Sequence, residues 1–237
     1  MTEKIIGILG GMGPEATLNC FAKIIANTPA EKDQDHIRVI IDNNPKIPDR
    51  TSAILGKGES PVEALVQSSQ ALKNAGADFI IIPCVTVHYF YDQFAPRSPL
   101  PIISILDVVA EAIKSEHPDM KKIGLMATNG TVQTGIFQKR LARENIETMV
   151  CDADHQDRVM QAIYALKSSP TPETRRQITA TFQAAAQSLV QKGAQGIVAG
   201  CTEIPLALSQ EHLDVPYFDA LNLLARAAIR QAGREPK

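Results

Sequence analysis

The chain has 237 residues, 44% of them hydrophobic, with a formal net charge of −2 and a pI near 6.2. That length accommodates one or two α/β units, and the apolar fraction supports a buried core. No basic stripe with interleaved aromatics is present, which argues against nucleic acid as a partner and leaves small molecules or proteins. The longest apolar runs, such as Phe79 to Ile82, fall far short of a membrane span. Glu3 and Lys4 flank a strand pattern where a secretory signal would carry an apolar core, so a cytoplasmic location is expected.

In chain order, Ile5 to Leu9 reads as a buried strand. The turn "GILGGMGPEA" (Gly7 to Ala16) fits G-x-G-x-x-A at Gly11, Gly13 and Ala16, and a helix is expected over Ala16 to Ala26. Such a turn holds a phosphate, a carboxylate, or nothing, its glycines then serving only close packing of strand on helix. Further strands are expected at Ile37–Asp42, Phe79–Pro83, Ile102–Leu106, Lys122–Met126, Ile146–Cys151, Gly196–Ala199 and Tyr217–Phe218, alternating with helical segments. Loops are expected at Asn43–Arg50, Ala95–Pro101 and Ser168–Glu173, marked by proline and polar residues. Strands alternating with helices predict an α/β protein with parallel sheets.

Cys20, Cys84, Cys151 and Cys201 form no C-x-x-C pair, and His36, His88, His117, His155 and His212 show no ligand spacing. Neither a disulfide frame nor a metal site is expected, and a reducing compartment fits.

An internal repeat organises the chain. "IGILGGMGP" from Ile6 aligns with "IGLMATNGT" from Ile123, and "ALKNAGADFIIIPCVT" from Ala71 aligns with "SLVQKGAQGIVAGCTE" from Ser188, both at an offset of 117. "PIISILDVVAEA" from Pro101 echoes "PYFDALNLLARA" from Pro216 at an offset of 115. Duplication of one ancestral unit explains all three. It sets Cys84 against Cys201, each after a strand, and ligands of parallel sheets gather beyond the strand carboxyl ends. If the halves pack about a pseudo-twofold axis with those ends together, the two cysteines approach one cleft. Two thiols suit stereochemical inversion at carbon: a thiolate removes a proton from one face and a thiol delivers one to the other. A free thiol has a pKa of roughly 8.5, lowered at a helix N-terminus. Helix starts are expected after both cysteines, with Thr86, Thr202 and Pro205 as the local signals. Cys20 and Cys151 lack repeat partners and are expected to be core residues.

At these residues the sequence resembles the aspartate/glutamate racemase family, which works without pyridoxal phosphate. The resemblance rests on "GILGGMGPEAT", "DNNPKIPDRT", "PCVTVHYF", "ATNGT" and "GCTEIPL", in that order along nearly the whole chain. It implies two pseudo-symmetric parallel-sheet α/β domains with the active site in the cleft between them, residues 1–103 with 215–237 and residues 104–214. It also implies a homodimer, no cofactor, no metal and a small amino-acid substrate. The catalytic pair is then Cys84 and Cys201. The resemblance places the substrate α-carboxylate against Thr86, Thr128, Asn129, Thr131 and Thr202, with Met12 in the matching first turn, and the distal carboxylate against Arg50 and Lys167. Glu203, after the second Cys-Thr pair, either tunes the pocket or caps a helix.

Val85 departs from the family's Cys-Asn-Thr, replacing an amide donor with a hydrocarbon. The resemblance implies racemisation of aspartate or glutamate, and the departure at Val85 opens alternatives. The alternatives are a related superfamily isomerase or decarboxylase acting on a dicarboxylate or hydantoin, or a binding protein without catalysis. Cys84 and His88, four residues apart, also admit a Cys/His hydrolase.

Overall fold

A computed structural model describes residues 3–168 and 170–237. Ser169, within the expected loop Ser168–Glu173, lies outside the described residues. The first half runs β1 (Ile6–Gly10), α1 (Pro14–Asn27), β2 (Val39–Asn43), α2 (Arg50–Ile54), α3 (Val62–Asn74), β3 (Phe79–Ile81), α4 (Tyr91–Phe94), β4 (Ile102–Ile103) and α5 (Ile105–Glu116). The second runs β5 (Lys122–Met126), α6 (Asn129–Thr134), α7 (Ile136–Ala142), β6 (Glu147–Val150), α8 (Ala153–Lys167), α9 (Pro172–Gln191), β7 (Ile197–Ala199), β8 (Tyr217–Asp219) and α10 (Ala220–Gln231). Two four-stranded sheets result, ordered β2-β1-β3-β4 and β6-β5-β7-β8, with every pairing parallel. The fold is α/β.

The repeat extends to individual hydrogen bonds. α3 ends at Gly76, φ +96°, and α9 at Gly193, φ +102°, a left-handed conformation that glycine adopts without a Cβ penalty. Beyond each, Ala77 N donates to Leu72 O at 3.0 Å and Ala194 N to Leu189 O at 3.1 Å, closing the same helix stop 117 residues apart. The entries to β1 and β5 are also pinned alike. Asp78 accepts from Ile5 N through its carboxylate at 2.7 Å, and Gln195 accepts from Lys122 N through its amide at 2.9 Å. Cores form on the sheets by the same means: Leu9, Leu65, Leu72, Ile80 and Phe94 cluster in the first half. Val159, Ile163, Phe182, Leu189 and Ile197 cluster in the second. Each such large side chain removed from water contributes about 1.5–3 kcal/mol.

The chain separates into one unit ending at Val108 and completed by Leu221–Lys237, and another spanning Val109–Ala220. These limits differ from the expected ones at both crossings. β8 pairs with β7, with Ile197 opposite Tyr217, so it stays in the second sheet, in the place that β4 fills beside β3 in the first. Only the helix that follows returns. Asn27 Nδ2 donates to Asn222 Oδ1 at 3.0 Å, Arg226 donates to Asn27 Oδ1 at 3.1 Å, and Lys4 N donates to Ala232 O at 3.1 Å, fastening α10 and its tail within the first unit. α5 leaves after its first turn in the reciprocal sense. Among the described residues, no helix is long and apolar enough to cross a membrane.

Candidate active site

In the first unit the turn after β1 is shaped by packing. A Cβ on Gly10 would lie 2.4 Å from Thr17 Cγ2, and one on Gly11, at φ +93°, would lie 2.3 Å from the Asn44 carbonyl carbon. Thr17 Oγ1 accepts from Gly11 N at 2.9 Å and donates to Gly13 O at 3.0 Å, tying the turn to α1. Of the glycines that resemble a dinucleotide signature, Gly11 is thus explained by its positive φ and its close approach to the Asn44 backbone. Met12 is buried in the same core cluster as Cys84.

Arg50 opens α2 just after the helix cap Asp49, whose side chain accepts from Ser52 N at 2.8 Å. Arg50 is 9% exposed, and its guanidinium donates to three backbone carbonyls, Ile47 O at 3.2 Å, Pro48 O at 3.0 Å and Met12 O at 3.4 Å. Nε is buried without a hydrogen-bond partner, and among the described residues no carboxylate pairs with the cation. A buried charge left in this state favours an anionic ligand.

Cys84, Val85 and Thr86 are all buried beyond β3. The helix expected to start here is only a 3₁₀ turn, Thr86–Phe90, leading into the four-residue α4. His88 Nδ1 lies 3.0 Å from Cys84 O, and its Nε2 accepts from Ile105 N at 3.2 Å. Because an amide N–H can only donate and a carbonyl can only accept, both ring nitrogens are assigned: the ring is neutral with its proton on Nδ1. Burial pushes its pKa down to about 4. His88 satisfies an orphan N–H at the start of α5 and stacks on Tyr91; it is no base toward the Cys84 sulfur, which removes the hydrolase reading.

In the second unit Thr128 caps α6, accepting from Thr131 N at 3.2 Å and donating to Thr131 Oγ1 at 3.0 Å, so both hydroxyls are buried and mutually oriented. Asn129 follows, half-buried. Cys201 and Thr202 are buried beyond β7, and again the expected helix is a three-residue 3₁₀ turn, Ile204–Leu206, into which Pro205 fits. Cys201 Sγ donates to Glu203 Oε2 at 3.0 Å, and Thr202 Oγ1 donates to the same oxygen at 3.4 Å. Lys167, at the end of α8, puts Nζ 3.6 Å from Glu203 Oε1, so it is a charge partner of Glu203. Expectation and structure part here. A helix N-terminus would have lowered the Cys201 pKa. Instead burial first, and then the Glu203 charge, push that thiol well above its ordinary value, with Lys167 opposing.

Cys20 is fully buried and Cys151 is buried with its thiol pushed up to about 11, both as core residues. One residue escaped the sequence reading: Gln156 on α8 donates through Nε2 to Asn129 Oδ1 at 2.8 Å and to Ala127 O at 3.0 Å. Its signal was an amide three residues before Val159 and seven before Ile163, on the apolar face of that helix.

The Asp/Glu/hydantoin racemase family profile matches residues 9–228. The broad specificity amino-acid racemase RacX of Bacillus subtilis is 29% identical over 230 residues, covering 95% of this chain and 96% of that protein. Among solved structures, an aspartate racemase from Picrophilus torridus superposes with a TM-score of 0.88 at 33% identity, covering 99% of this chain and 96% of its own. An aspartate racemase homologue from Pyrococcus horikoshii gives 0.75 at 26%, covering 98% and 100%. With its duplicated sheets, strand-end thiols and matched length, the chain belongs to the Asp/Glu/hydantoin racemase family.

Proposed function

We propose that the protein racemises a small acidic amino acid, aspartate or glutamate, without a cofactor, using Cys84 and Cys201 as paired acid and base at Cα. The observation that carries this is the equivalence of the two thiols: each is buried just beyond the third strand of its own copy of one repeat. Arg50 supplies the substrate class. Its buried guanidinium, without a carboxylate among the described residues, suits the distal carboxylate in bidentate geometry.

In this reading one sulfur, as thiolate, takes the Cα proton while the other, as thiol, gives its proton to the opposite face of the resulting carbanion. The net change is inversion, with the two sulfurs exchanging protonation states. Glu203 holds Cys201 as a thiol in the resting protein, so Cys84 is the first base. The amide of Asn129, with the hydroxyls of Thr86 and Thr131, is assigned to the α-carboxylate, where negative charge develops, while the Thr128 and Thr202 hydroxyls donate to Thr131 and Glu203.

Incubation with L-aspartate or L-glutamate in D₂O is expected to place deuterium at Cα and to yield both enantiomers. Cys84→Ala and Cys201→Ala are each expected to abolish racemisation. Full racemisation by either variant, or no Cα exchange with any acidic amino acid in the wild type, overturns the reading.

A further inference from the structure

We propose that Gln156, acting through Asn129, fixes a hydrogen-bond donor beyond β5 and thereby makes that place selective for a carboxylate. The inference rests on the acidic-ligand part of the reading above and adds the residue that enforces it. Gln156 is a positioning residue.

The argument is one of donor and acceptor parity. Ala127 O, a backbone carbonyl, only accepts, so the Gln156 atom 3.0 Å away is the amide nitrogen. Its second proton points to Asn129 at 2.8 Å, so the Asn129 atom there is Oδ1. The Asn129 NH₂ is therefore turned the other way, and among the described residues nothing accepts from it. Its backbone N–H is also occupied, donating to Met160 Sδ at 3.4 Å, which anchors the residue at both ends. Gln156 Oε1 meanwhile is buried with no partner. What the arrangement secures is the direction of the Asn129 amide. An outward NH₂ matches a carboxylate oxygen and mismatches an ammonium or amide nitrogen. The equivalent position in the first unit, Met12, offers no such donor.

Two substitutions separate orientation from mere packing. In Gln156→Glu the carboxylate cannot donate, so Asn129 is drawn to donate to it and presents Oδ1 outward. In Gln156→Leu, Asn129 is free to turn either way. Calorimetry with succinate, which has two carboxylates and no α-ammonium, is expected to give affinity in the order wild type, Gln156→Leu, Gln156→Glu. The last is weaker than wild type by at least about tenfold. For L-aspartate, KM is expected to rise in that order with kcat little changed, while circular dichroism and melting show both variants folded. Should either fail to fold, ¹⁵N spectra of the wild type carry the test: succinate is expected to shift the Asn129 side-chain NH₂ resonance. Equal affinity of Gln156→Glu and wild type, equal loss in both variants, an unmoved Asn129 resonance, or a wild type that binds no dicarboxylate at about millimolar concentration each overturns the proposal. Ordered succinate binding without Cα exchange overturns racemisation alone. Undiminished binding and exchange in Gln156→Glu overturns this inference alone.

Discussion

The two halves share strand order, helix stops and cysteine placement, yet the five residues from each cysteine read Cys-Val-Thr-Val-His in the first and Cys-Thr-Glu-Ile-Pro in the second. The scaffold is repeated while the residues flanking the two thiols differ. At the third position a hydroxyl, Thr86, stands opposite a carboxylate, Glu203. At the fifth a neutral buried imidazole, His88, stands opposite Pro205. One thiol therefore hydrogen-bonds a carboxylate, whereas the other precedes a segment anchored by a histidine cap. A repeated frame thus carries unequal flanks around its two thiols, an inequality that the proposed reaction, with one acid and one base, would use.

The largest effect that would break this comparison concerns His88. Its pKa falls from 6.5 to about 4 on folding because burial disfavours the charged ring. A base with a depressed folded pKa contributes stability fully above its unfolded pKa and loses it as pH falls toward the folded value. Unfolding by urea is expected to show on the order of 3 kcal/mol of stability disappearing between pH 6.5 and 4 from this site. In His88→Gln, which takes up no proton, that component is expected to vanish. An unchanged pH slope would show that the ring is not held neutral, and the second half, with Pro205, would no longer be distinguished in this respect.

Next comes the charge beside Cys201. Glu203→Gln removes the carboxylate that receives the thiol proton, so the thiolate becomes easier to form. Iodoacetamide labelling of Cys201, followed by peptide mass spectrometry at slightly alkaline pH, is expected to accelerate strongly, because the thiolate fraction rises once the neighbouring charge is gone. Labelling of Cys84 serves as the internal reference. A Cys201 rate that stays put would mean that burial alone governs this thiol and that the flanks are not electrostatically unequal.

The strand-end turns extend the comparison to packing. Gly10 occupies the repeat position of Ala127, and Thr17 that of Thr134, but only the first turn threads its threonine under the glycine. Gly10→Ala puts a methyl 2.4 Å from Thr17 Cγ2 and is expected to cost about 2 kcal/mol in chemical denaturation. Ala127→Gly is expected to cost only about 0.5–1 kcal/mol. Comparable costs would indicate that the turns are built alike.

Much of this fold was legible because duplication writes every pattern twice, and a strand or helix stop seen at both copies is hard to mistake. What escaped was set by contacts distant in sequence. The expected strand Ile102–Leu106 stops at Ile103 because His88, seventeen residues earlier, supplies the acceptor that lets Ile105 begin a helix. The return of residues 215–219 to the first unit is what the resemblance implies, whereas Tyr217 pairs with Ile197, a partner twenty residues away that the local sequence does not specify. Glu203 was visible beside Cys201, but the tight 3₁₀ backbone that aims its carboxylate at the sulfur was not. Gln156 was hidden among ordinary helix-face residues until Ala127 and Asn129 came within its reach.

The smallest expected effect tests whether the first flank has room for the family's amide. Val85 is 2% exposed and stands at the repeat position of Thr202, whose hydroxyl is engaged by Glu203. Val85→Asn restores a donor beside Cys84. One new hydrogen bond to a charged carboxylate contributes roughly 1.5–3 kcal/mol, and part of that is offset by burying the remainder of the amide. Turnover of acidic amino acids, measured by Cα deuterium uptake, is therefore expected to rise by about tenfold. Unchanged or lower turnover in a folded Val85→Asn protein would mean that position 85 serves the core and not the ligand. The inequality between the flanks would then reside in Glu203 and His88 alone.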